Sequence, residues 1–248
     1  VLERQIPSGR LFAVIVGTDT YVHLSRLGFA RSDARAFAAA LQATEGLYYS
    51  GVETELLLDE PDLNHALRAR LEAIKRKANK NDTVMIYVAG HGLKDQQGRF
   101  YLAGQETDPA RPRMTAVRWG ELATSLNAST GRAIVFLDAC HSGAAGEIAT
   151  NDDAVRSFLT DNNAVTIISA SKGRQFSQER TEIGGGVFTM SLSKLILNAR
   201  GQTDTNHNGV LELSEVFKSL KGRVARMTAG DQTPWIARNR MGGEIPLF

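Results

Sequence analysis

Short runs of apolar residues alternate along this chain with segments in which apolar residues recur every three or four positions. Uninterrupted runs such as residues 11–16 and 134–137 are typical of buried β-strands. Residues 63–74 instead carry three leucines and an isoleucine at the spacing of one helix face. This alternation predicts an α/β fold, with a six-stranded, mostly parallel sheet covered by helices on both faces.

The periodicity also places each element. The predicted strands are residues 11–16, 54–58, 84–89, 134–137, 165–169 and 244–248, with 100–102 in a small hairpin. The predicted helices have their apolar positions within residues 34–41, 63–74, 119–126, 187–199 and 216–227. Ser32 or Asp33 is expected to cap the first helix. No stretch rich in Pro, Gly or Ser divides the chain, so residues 1–248 are predicted to form one domain.

Two of the predicted strands end in reactive side chains. The sequence R-A-I-V-F-L-D-A-C-H-S-G, residues 132–143, carries Asp138 and the one cysteine of the chain, Cys140. The sequence D-T-V-M-I-Y-V-A-G-H-G, residues 82–92, places His91 between two glycines. Ligands usually bind at the carboxyl ends of the strands in α/β sheets. We therefore expect His91 and Cys140 to meet at one edge of the sheet.

A cysteine beside a histidine can act as a nucleophile. A free thiol has a pKa of about 8.5, so that little thiolate exists at neutral pH. An adjacent imidazole can take the proton of the thiol and later protonate a leaving amine. The alternatives are a buried, inert thiol for Cys140 and an ordinary turn residue for His91.

The order of these motifs resembles that of the caspase and metacaspase superfamily of cysteine peptidases. His91 is followed by Gly92, and Cys140 comes 49 residues after the histidine within D-A-C-H-S-G. Asp138, where animal caspases have glutamine, is more similar to metacaspases and bacterial caspase-like proteins (orthocaspases). The resemblance covers residues 11–248 and implies a caspase-like sandwich and a Cys-His dyad that hydrolyses peptide bonds. It also implies an oxyanion hole made of the backbone amides of Gly92 and Cys140.

The same resemblance implies a pocket for an arginine or lysine of a protein or peptide substrate. Asp33 resembles the acid at the head of the first helix in metacaspases, and Asp138 lies two residues before the cysteine. Two carboxylates complement a guanidinium through bidentate hydrogen bonds. Gln175, Ser177 and Glu179 resemble the polar loop that lines the same groove. The alternatives are a plain helix cap for Asp33 and a brace for the catalytic loop for Asp138.

A possible metal site lies nearer the end of the chain. Residues 204–215 fit the calcium-loop pattern D-x-[DN]-x-[DN]-G-x5-E. The calcium ligands would be the side chains of Asp204, Asn206, Asn208 and Glu215 and the carbonyl of Val210. However, calcium loops usually occur in pairs, and such turns also form without metal, capped by their own Asn side chains. Both interpretations stay open, and the dyad itself requires no cofactor.

Composition narrows the range of partners. The formal net charge of +2 argues against a nucleic-acid partner, and no apolar run reaches the length of about 18 residues typical of a membrane span. A single cysteine excludes an internal disulfide and is compatible with the reducing cytoplasm, the predicted location. A regulatory domain outside this sequence is a further expected partner.

Two hypotheses from different classes follow. The first is a cysteine endopeptidase of the metacaspase type. The second is a catalytically weak caspase-like module that acts by protein binding in a signalling or defence assembly. The intact pair of His91 and Cys140 favours the peptidase.

Overall fold

The computed structural model describes most of the chain. It covers residues 9–127, 131–141, 155, 165–172, 175, 177–198, 203–238 and 245–248, with the backbone alone for residues 127, 140, 141, 198 and 238. Three predicted features therefore lie outside the described residues. They are the side chain of Cys140, Ala199 at the end of a predicted helix, and Glu244 at the start of the predicted last strand.

A mostly parallel β-sheet forms the centre of the protein. Its strands are β1 (Leu11–Gly17), β2 (Val52–Leu58), β3 (Thr83–Lys94), β4 (Phe100–Leu102), β5 (Val117–Arg118), β6 (Arg132–His141), β7 (Val165–Ser169) and β10 (Trp235–Arg238). The order across the sheet is β10-β7-β6-β3-β1-β2, parallel except for β10, and β4 and β5 extend it beside β3 as the predicted hairpin. A separate hairpin pairs β8 (Glu179–Arg180) with β9 (Gly185–Gly186).

Helices cover both faces of this sheet. They are α1 (Ala30–Gln42), α2 (Leu63–Lys77), α3 (Pro112–Thr115), α4 (Trp119–Asn127), α5 (Val187–Asn198) and α6 (Leu213–Met227). Helices α1, α5 and α6 pack in one hydrophobic core, and α2 and α4 pack in the other. The predicted fold class is thus confirmed.

The alternation of side chains along β3 explains why there are two cores. Met85 and Tyr87 point to the side of α1, while Val84 and Ile86 point to the side of α2. The ring of Phe37 on α1 stacks on Tyr87, with 4.7 Å between ring centroids. A strand buried on both faces shows a continuous apolar run in its sequence, because neither set of side chains meets water.

The last strand of the sheet differs from the prediction. Strand β10, and not residues 244–248, takes the position beside β7. Of the described residues at the end of the chain, Pro246 forms a single bridge to Glu212. Strand β10 was not predicted because it has only four residues and follows Pro234, and proline is more typical of turns.

The start of α1 also differs from the prediction. The helix begins at Ala30, and neither Ser32 nor Asp33 caps it. The carboxylate of Asp19 instead accepts hydrogen bonds from the amides of Ala30, at 2.7 Å, and Arg31, at 3.3 Å. Asp33 therefore lies inside the first turn, and its carboxylate is directed towards the site described below.

Candidate active site

The histidine and the cysteine of the two sequence motifs lie side by side in the sheet. Strands β3 and β6 pair in parallel, and their register places His91 directly opposite Cys140. The same register places Ala89 opposite Asp138 and Gly92 opposite His141. The backbone thus brings the two predicted dyad residues to neighbouring positions on adjacent strands.

The loop between β1 and α1 holds the imidazole of His91, which is 2% exposed. Its Nε2 atom lies 2.8 Å from the carbonyl oxygen of Ser25 and 3.4 Å from the hydroxyl of the same residue. A carbonyl oxygen can accept but not donate, so this contact favours the tautomer with its proton on Nε2. In a neutral ring of that tautomer, Nδ1 carries the lone pair that can act as a base.

Tyr21 supports the same histidine from the side. Its hydroxyl accepts a hydrogen bond from the backbone amide of His91 at 2.9 Å, and the two ring centroids lie 4.7 Å apart. No pattern in the sequence indicated this role for the β1–α1 loop. A tyrosine in a polar loop carries no signal of this contact, because the partner lies 70 positions away in the chain.

The two glycines that flank His91 make room for aromatic side chains. A β-carbon on Gly90 would lie 3.0 Å from the hydroxyl of Tyr21, and one on Gly92 would lie 2.5 Å from the ring of Phe100. These contacts give a reason for the glycines that does not involve a substrate. The expected contribution of the Gly92 and Cys140 amides to an oxyanion hole stays a prediction.

An acidic cavity lies next to these strands. Its lining includes Asp33 from α1, Asp138 from β6 and Gly186 from β9, together with Ser177 and Glu179. The structure therefore brings together four of the five residues that the resemblance assigned to substrate binding. They come from three separate parts of the sequence, around positions 33, 138 and 177–179, and all four line one cavity.

The Asp33 carboxylate lies on the backbone of Gly186. Both of its oxygens accept from the Gly186 amide, at 3.1 and 2.9 Å. The Asp138 carboxylate accepts a hydrogen bond from the hydroxyl of Thr189 at 2.8 Å. One oxygen of Asp33 lies 2.8 Å, and one oxygen of Asp138 lies 3.3 Å, from the point where a β-carbon on Gly186 would sit. The two acids are therefore close neighbours under the cavity.

Burial changes the acidity of this pair. Desolvation, and then the nearby charge of Asp138, raises the pKa of Asp33 to about 8. Desolvation raises the pKa of Asp138 to about 6, although hydrogen bonds from Thr189 and Ser177 oppose the change. Desolvation also raises the pKa of Glu179, against hydrogen bonds from the amides of Phe29 and Gly28. Burial thus raises the pKa of each of the three carboxyl groups that line the cavity.

Gln175 is not among the residues that line this cavity. Its side-chain oxygen accepts from the amide of Thr233 at 2.9 Å, and its side-chain nitrogen lies 3.4 Å from the carbonyl of Gly230. The structure thus places its side chain against the segment that follows α6. The sequence gives no sign that Gln175 differs in this way from Ser177 and Glu179, which do line the cavity.

The carboxylates of the predicted calcium loop take part in local hydrogen bonds. Glu215 accepts from the amides of Thr205, at 2.7 Å, and Glu212, at 3.2 Å. Although burial opposes it, these bonds hold the pKa of Glu215 below its usual range. Asp204 accepts from two amides farther along the loop, at 3.2 and 2.8 Å. A calcium ion would have to compete with the donors to Glu215, and calcium binding stays a prediction.

The described residues contain neither a cluster of metal-binding side chains nor a membrane-spanning helix. Among these residues, no three His, Cys, Asp or Glu side chains are grouped so that they could hold a metal ion. None of the helices there is both long and apolar enough to span a lipid bilayer.

Solved structures with the same architecture include two from distant organisms. The chain is similar to a crystal structure of a protein from Geobacter sulfurreducens, with a TM-score of 0.66, 17% identity, and coverage of 92% of this chain and 92% of that chain. It is also similar to caspase-1 from Spodoptera frugiperda, with a TM-score of 0.61, 15% identity, and coverage of 96% and 92%. At these identities the likeness shows the fold alone. No curated protein sequence matches the chain.

The fold is therefore that of the caspase-like α/β class. The family model described as Caspase domain matches residues 10–245, and the chain belongs to this family of cysteine peptidases. The resemblance indicated by the histidine and cysteine motifs is confirmed.

Proposed function

We propose that this protein is a cysteine endopeptidase that cleaves after arginine or lysine, with Cys140 as nucleophile and His91 as base. The observation that carries the proposal is the register that pairs His91 with Cys140 on adjacent parallel strands. Family membership supports the reaction class. The acidic cavity beside these strands supports the preference for a basic side chain.

The proposed reaction uses the histidine twice. The imidazole takes the proton of the Cys140 thiol, and the thiolate attacks the substrate carbonyl carbon. The amides of Gly92 and Cys140 donate to the oxyanion that forms. When the peptide C–N bond breaks, the imidazolium protonates the leaving amine, and water then hydrolyses the acyl-enzyme. The contact of Nε2 with Ser25 supports this role, because it directs the basic lone pair to Nδ1.

The proposed specificity depends on charge inside the cavity. A guanidinium or ammonium group that enters it would meet the carboxyl groups of Asp33, Asp138 and Glu179, which line the cavity. Among the described residues, no Arg or Lys forms an ion pair with Asp33 or Asp138. A cationic substrate would therefore supply a counter-charge that no described Arg or Lys provides to these buried acids.

Covalent labelling tests the dyad and the specificity together. A peptidyl chloromethyl ketone that ends in arginine should alkylate Cys140, as intact-mass spectrometry would show, and the matched ketone that ends in aspartate should react at least about tenfold more slowly. His91→Ala and Cys140→Ala should each reduce peptide hydrolysis by at least about a thousandfold, since the two residues act as one unit.

Other outcomes have clear meanings. Hydrolysis above a few per cent of the wild-type rate in either alanine variant would refute the dyad. Equal reaction with the aspartate ketone would refute the acidic pocket. A folded wild type that reacts with neither ketone nor with iodoacetamide would favour the alternative of a binding module.

A further inference from the structure

A glutamine that does not line the cavity forms hydrogen bonds with two segments on different sides of it, one next to Asp138 and one that includes Ser177 and Glu179. Gln232 follows α6 and is fully buried, with 0% of its surface exposed. Its side-chain nitrogen donates to the carbonyl of Ala170 at 3.0 Å, and its side-chain oxygen accepts from the amide of Gln178 at 3.0 Å. Both functions of the buried amide are therefore satisfied, and each one contacts a different segment.

The first of these contacts leads to Asp138. Ala170 comes directly after β7, and its own amide donates to the carbonyl of Leu137 at 2.9 Å. Leu137 is the residue before Asp138 on β6. The nitrogen of Gln232 thus holds the strand side of the cavity, where one of the two acids is placed.

The second contact leads to the opposite wall. Gln178 lies between Ser177 and Glu179, which both line the cavity. The carbonyl of Gln178 accepts from the amide of Val187 at 2.8 Å, and Val187 follows Gly186, the residue on which Asp33 rests. The oxygen of Gln232 therefore holds the hairpin side of the cavity.

The segment that presents Gln232 is itself anchored. The hydroxyl of Thr228 accepts from the amide of Gln232 at 3.1 Å and lies 3.3 Å from its carbonyl oxygen. Thr228 also donates to the carbonyl of Val224 at 2.9 Å, which attaches the turn to the last turn of α6. Gln175 reaches the same turn through Thr233. The side chain of Gln232 is thus fixed by its backbone as well as by its own two contacts.

We propose that Gln232 is a positioning residue for specificity, which sets the spacing between the Asp138 side and the Ser177–Glu179 side of the acidic cavity. This inference rests on the proposed function. It assigns to Gln232 an effect on the binding of the basic side chain and none on the chemistry of the dyad, which it does not contact.

The test compares two variants at Gln232 with one control elsewhere. Gln232→Leu removes both contacts. Gln232→Glu keeps the acceptor for Gln178 but loses the donor to Ala170 when the new carboxyl group is ionised. The control is Thr44→Val, which removes a buried hydroxyl bonded to Leu41 at 2.6 Å, at the end of α1 that points away from the cavity.

Both Gln232 variants should raise KM for an arginine substrate by about tenfold while kcat changes by less than about twofold. Alkylation of Cys140 by iodoacetamide, which needs no pocket, should keep its wild-type rate. Amide hydrogen exchange within residues 177–187 should become faster, and none of these quantities should change in Thr44→Val. If Gln232→Leu does not fold, Gln232→Glu carries the test, because its KM relative to wild type should recover as lower pH protonates the carboxyl group and restores a donor to Ala170.

Unchanged KM in a folded Gln232 variant would overturn this inference alone. So would a fall in kcat and in iodoacetamide reactivity together, which would show a general structural defect. A wild type that does not prefer arginine over a neutral residue would overturn the proposed function, and this inference with it. The two failures are distinguishable, because the second is seen before any variant is made.

Discussion

Asp33 and Asp138 lie under one cavity with different partners. Asp33 rests on a backbone amide, and Asp138 on a hydroxyl. Neither donor carries a formal charge, so that each carboxylate is solvated less well than in water. This explains why both acids hold protons more strongly than an exposed aspartate does. At the residue scale, no described Arg or Lys side chain forms an ion pair with either acid.

The first prediction is that the preference for a basic residue increases with pH. As pH rises, Asp138 loses its proton near its raised pKa of about 6, and Asp33 loses its proton near about 8. The cavity becomes more negative, so kcat/KM for an arginine substrate should rise relative to that for a norleucine substrate. We expect at least about a tenfold change in this ratio between pH values of about 5.5 and 8.5.

Asp33→Asn is the matched variant for this measurement. It keeps the size of the side chain and an acceptor for Gly186 but cannot ionise. The rise in the ratio above a pH of about 7 should disappear in this variant, while the rise near a pH of about 6 should stay. A ratio that is flat with pH in the wild type would contradict the prediction.

The second prediction concerns Gly186. A β-carbon at this position would lie 2.8 Å from an oxygen of Asp33 and 3.3 Å from an oxygen of Asp138. Gly186→Ala should therefore lower kcat/KM for arginine substrates by about a hundredfold. Either the two carboxyl groups or the backbone at position 186 must shift to make room for the new methyl group, which changes the shape of the cavity. Gly51→Ala is the control, since its new β-carbon would meet the Arg10 side chain at an ordinary 3.7 Å. Equal activity of the two variants would show that the part of the cavity around Gly186 does not contact the substrate.

At the scale of whole elements, the predictions succeeded where the signal was local. The four apolar positions of α2 are all buried, and β3 and β6 carry their reactive residues at their carboxyl ends, as the apolar runs predicted. The predictions were wrong where distant residues decide. The cap of α1 comes from Asp19, in a loop rather than at the helix start. The contacts of Gln175 with a turn more than fifty positions away were likewise not foreseen, although its role in substrate binding stays a prediction. No local pattern encodes such contacts.

The third prediction concerns the loop that precedes α6. If this loop binds calcium, a single loop should do so weakly, with a Kd of about 10⁻⁴ to 10⁻³ M. Calcium at about 5 mM should then raise the Tm of the wild type by about 3 °C, because it binds the folded state. Glu215→Gln should lose this shift. It should also melt lower without calcium, because both carboxylate oxygens of Glu215 accept hydrogen bonds, from Thr205 and from Glu212, and glutamine has only one side-chain oxygen.

Glu72→Gln supplies the control for the calcium measurement. Glu72 is exposed on α2, so its variant should keep the full calcium shift. If calcium produces no binding heat and no change of Tm in the wild type, the loop is a turn capped by its own side chains. If calcium activates the wild type and Glu215→Gln equally, the activating site lies elsewhere.

At the scale of the whole molecule, the acidic cavity affects folding stability. An unfolded aspartate has a pKa of about 3.9, whereas burial and the charge of Asp138 raise that of Asp33 to about 8. The folded state therefore binds the Asp33 proton more tightly than the unfolded chain does. The resulting contribution to stability is complete below a pH of about 4 and is lost as pH rises through about 8.

The fourth prediction follows from this loss of stability as pH rises. The Tm of Asp33→Asn relative to wild type should increase with pH, by at least about 3 °C between pH values of about 5 and 8.5. Thermal melting at matched ionic strength measures this difference. Thr44→Val, which removes no ionisable group, should differ from wild type by a constant amount over the same range. A difference for Asp33→Asn that shrinks with rising pH would show that the acid is stabilising in its charged form.

The register between β3 and β6 also determines when the two proposed dyad residues can meet during synthesis and folding. The pairing runs from Thr83 opposite Arg132 to Gly92 opposite His141, and each pair joins positions 49 residues apart. Parallel strands of this separation meet only after the intervening segment has been made and ordered, which is slow compared with local helix formation. For the proposed peptidase, a chain still being synthesised would carry His91 long before it has a cysteine opposite. The nascent chain would thus be protected from its own activity until the middle of the sheet closes.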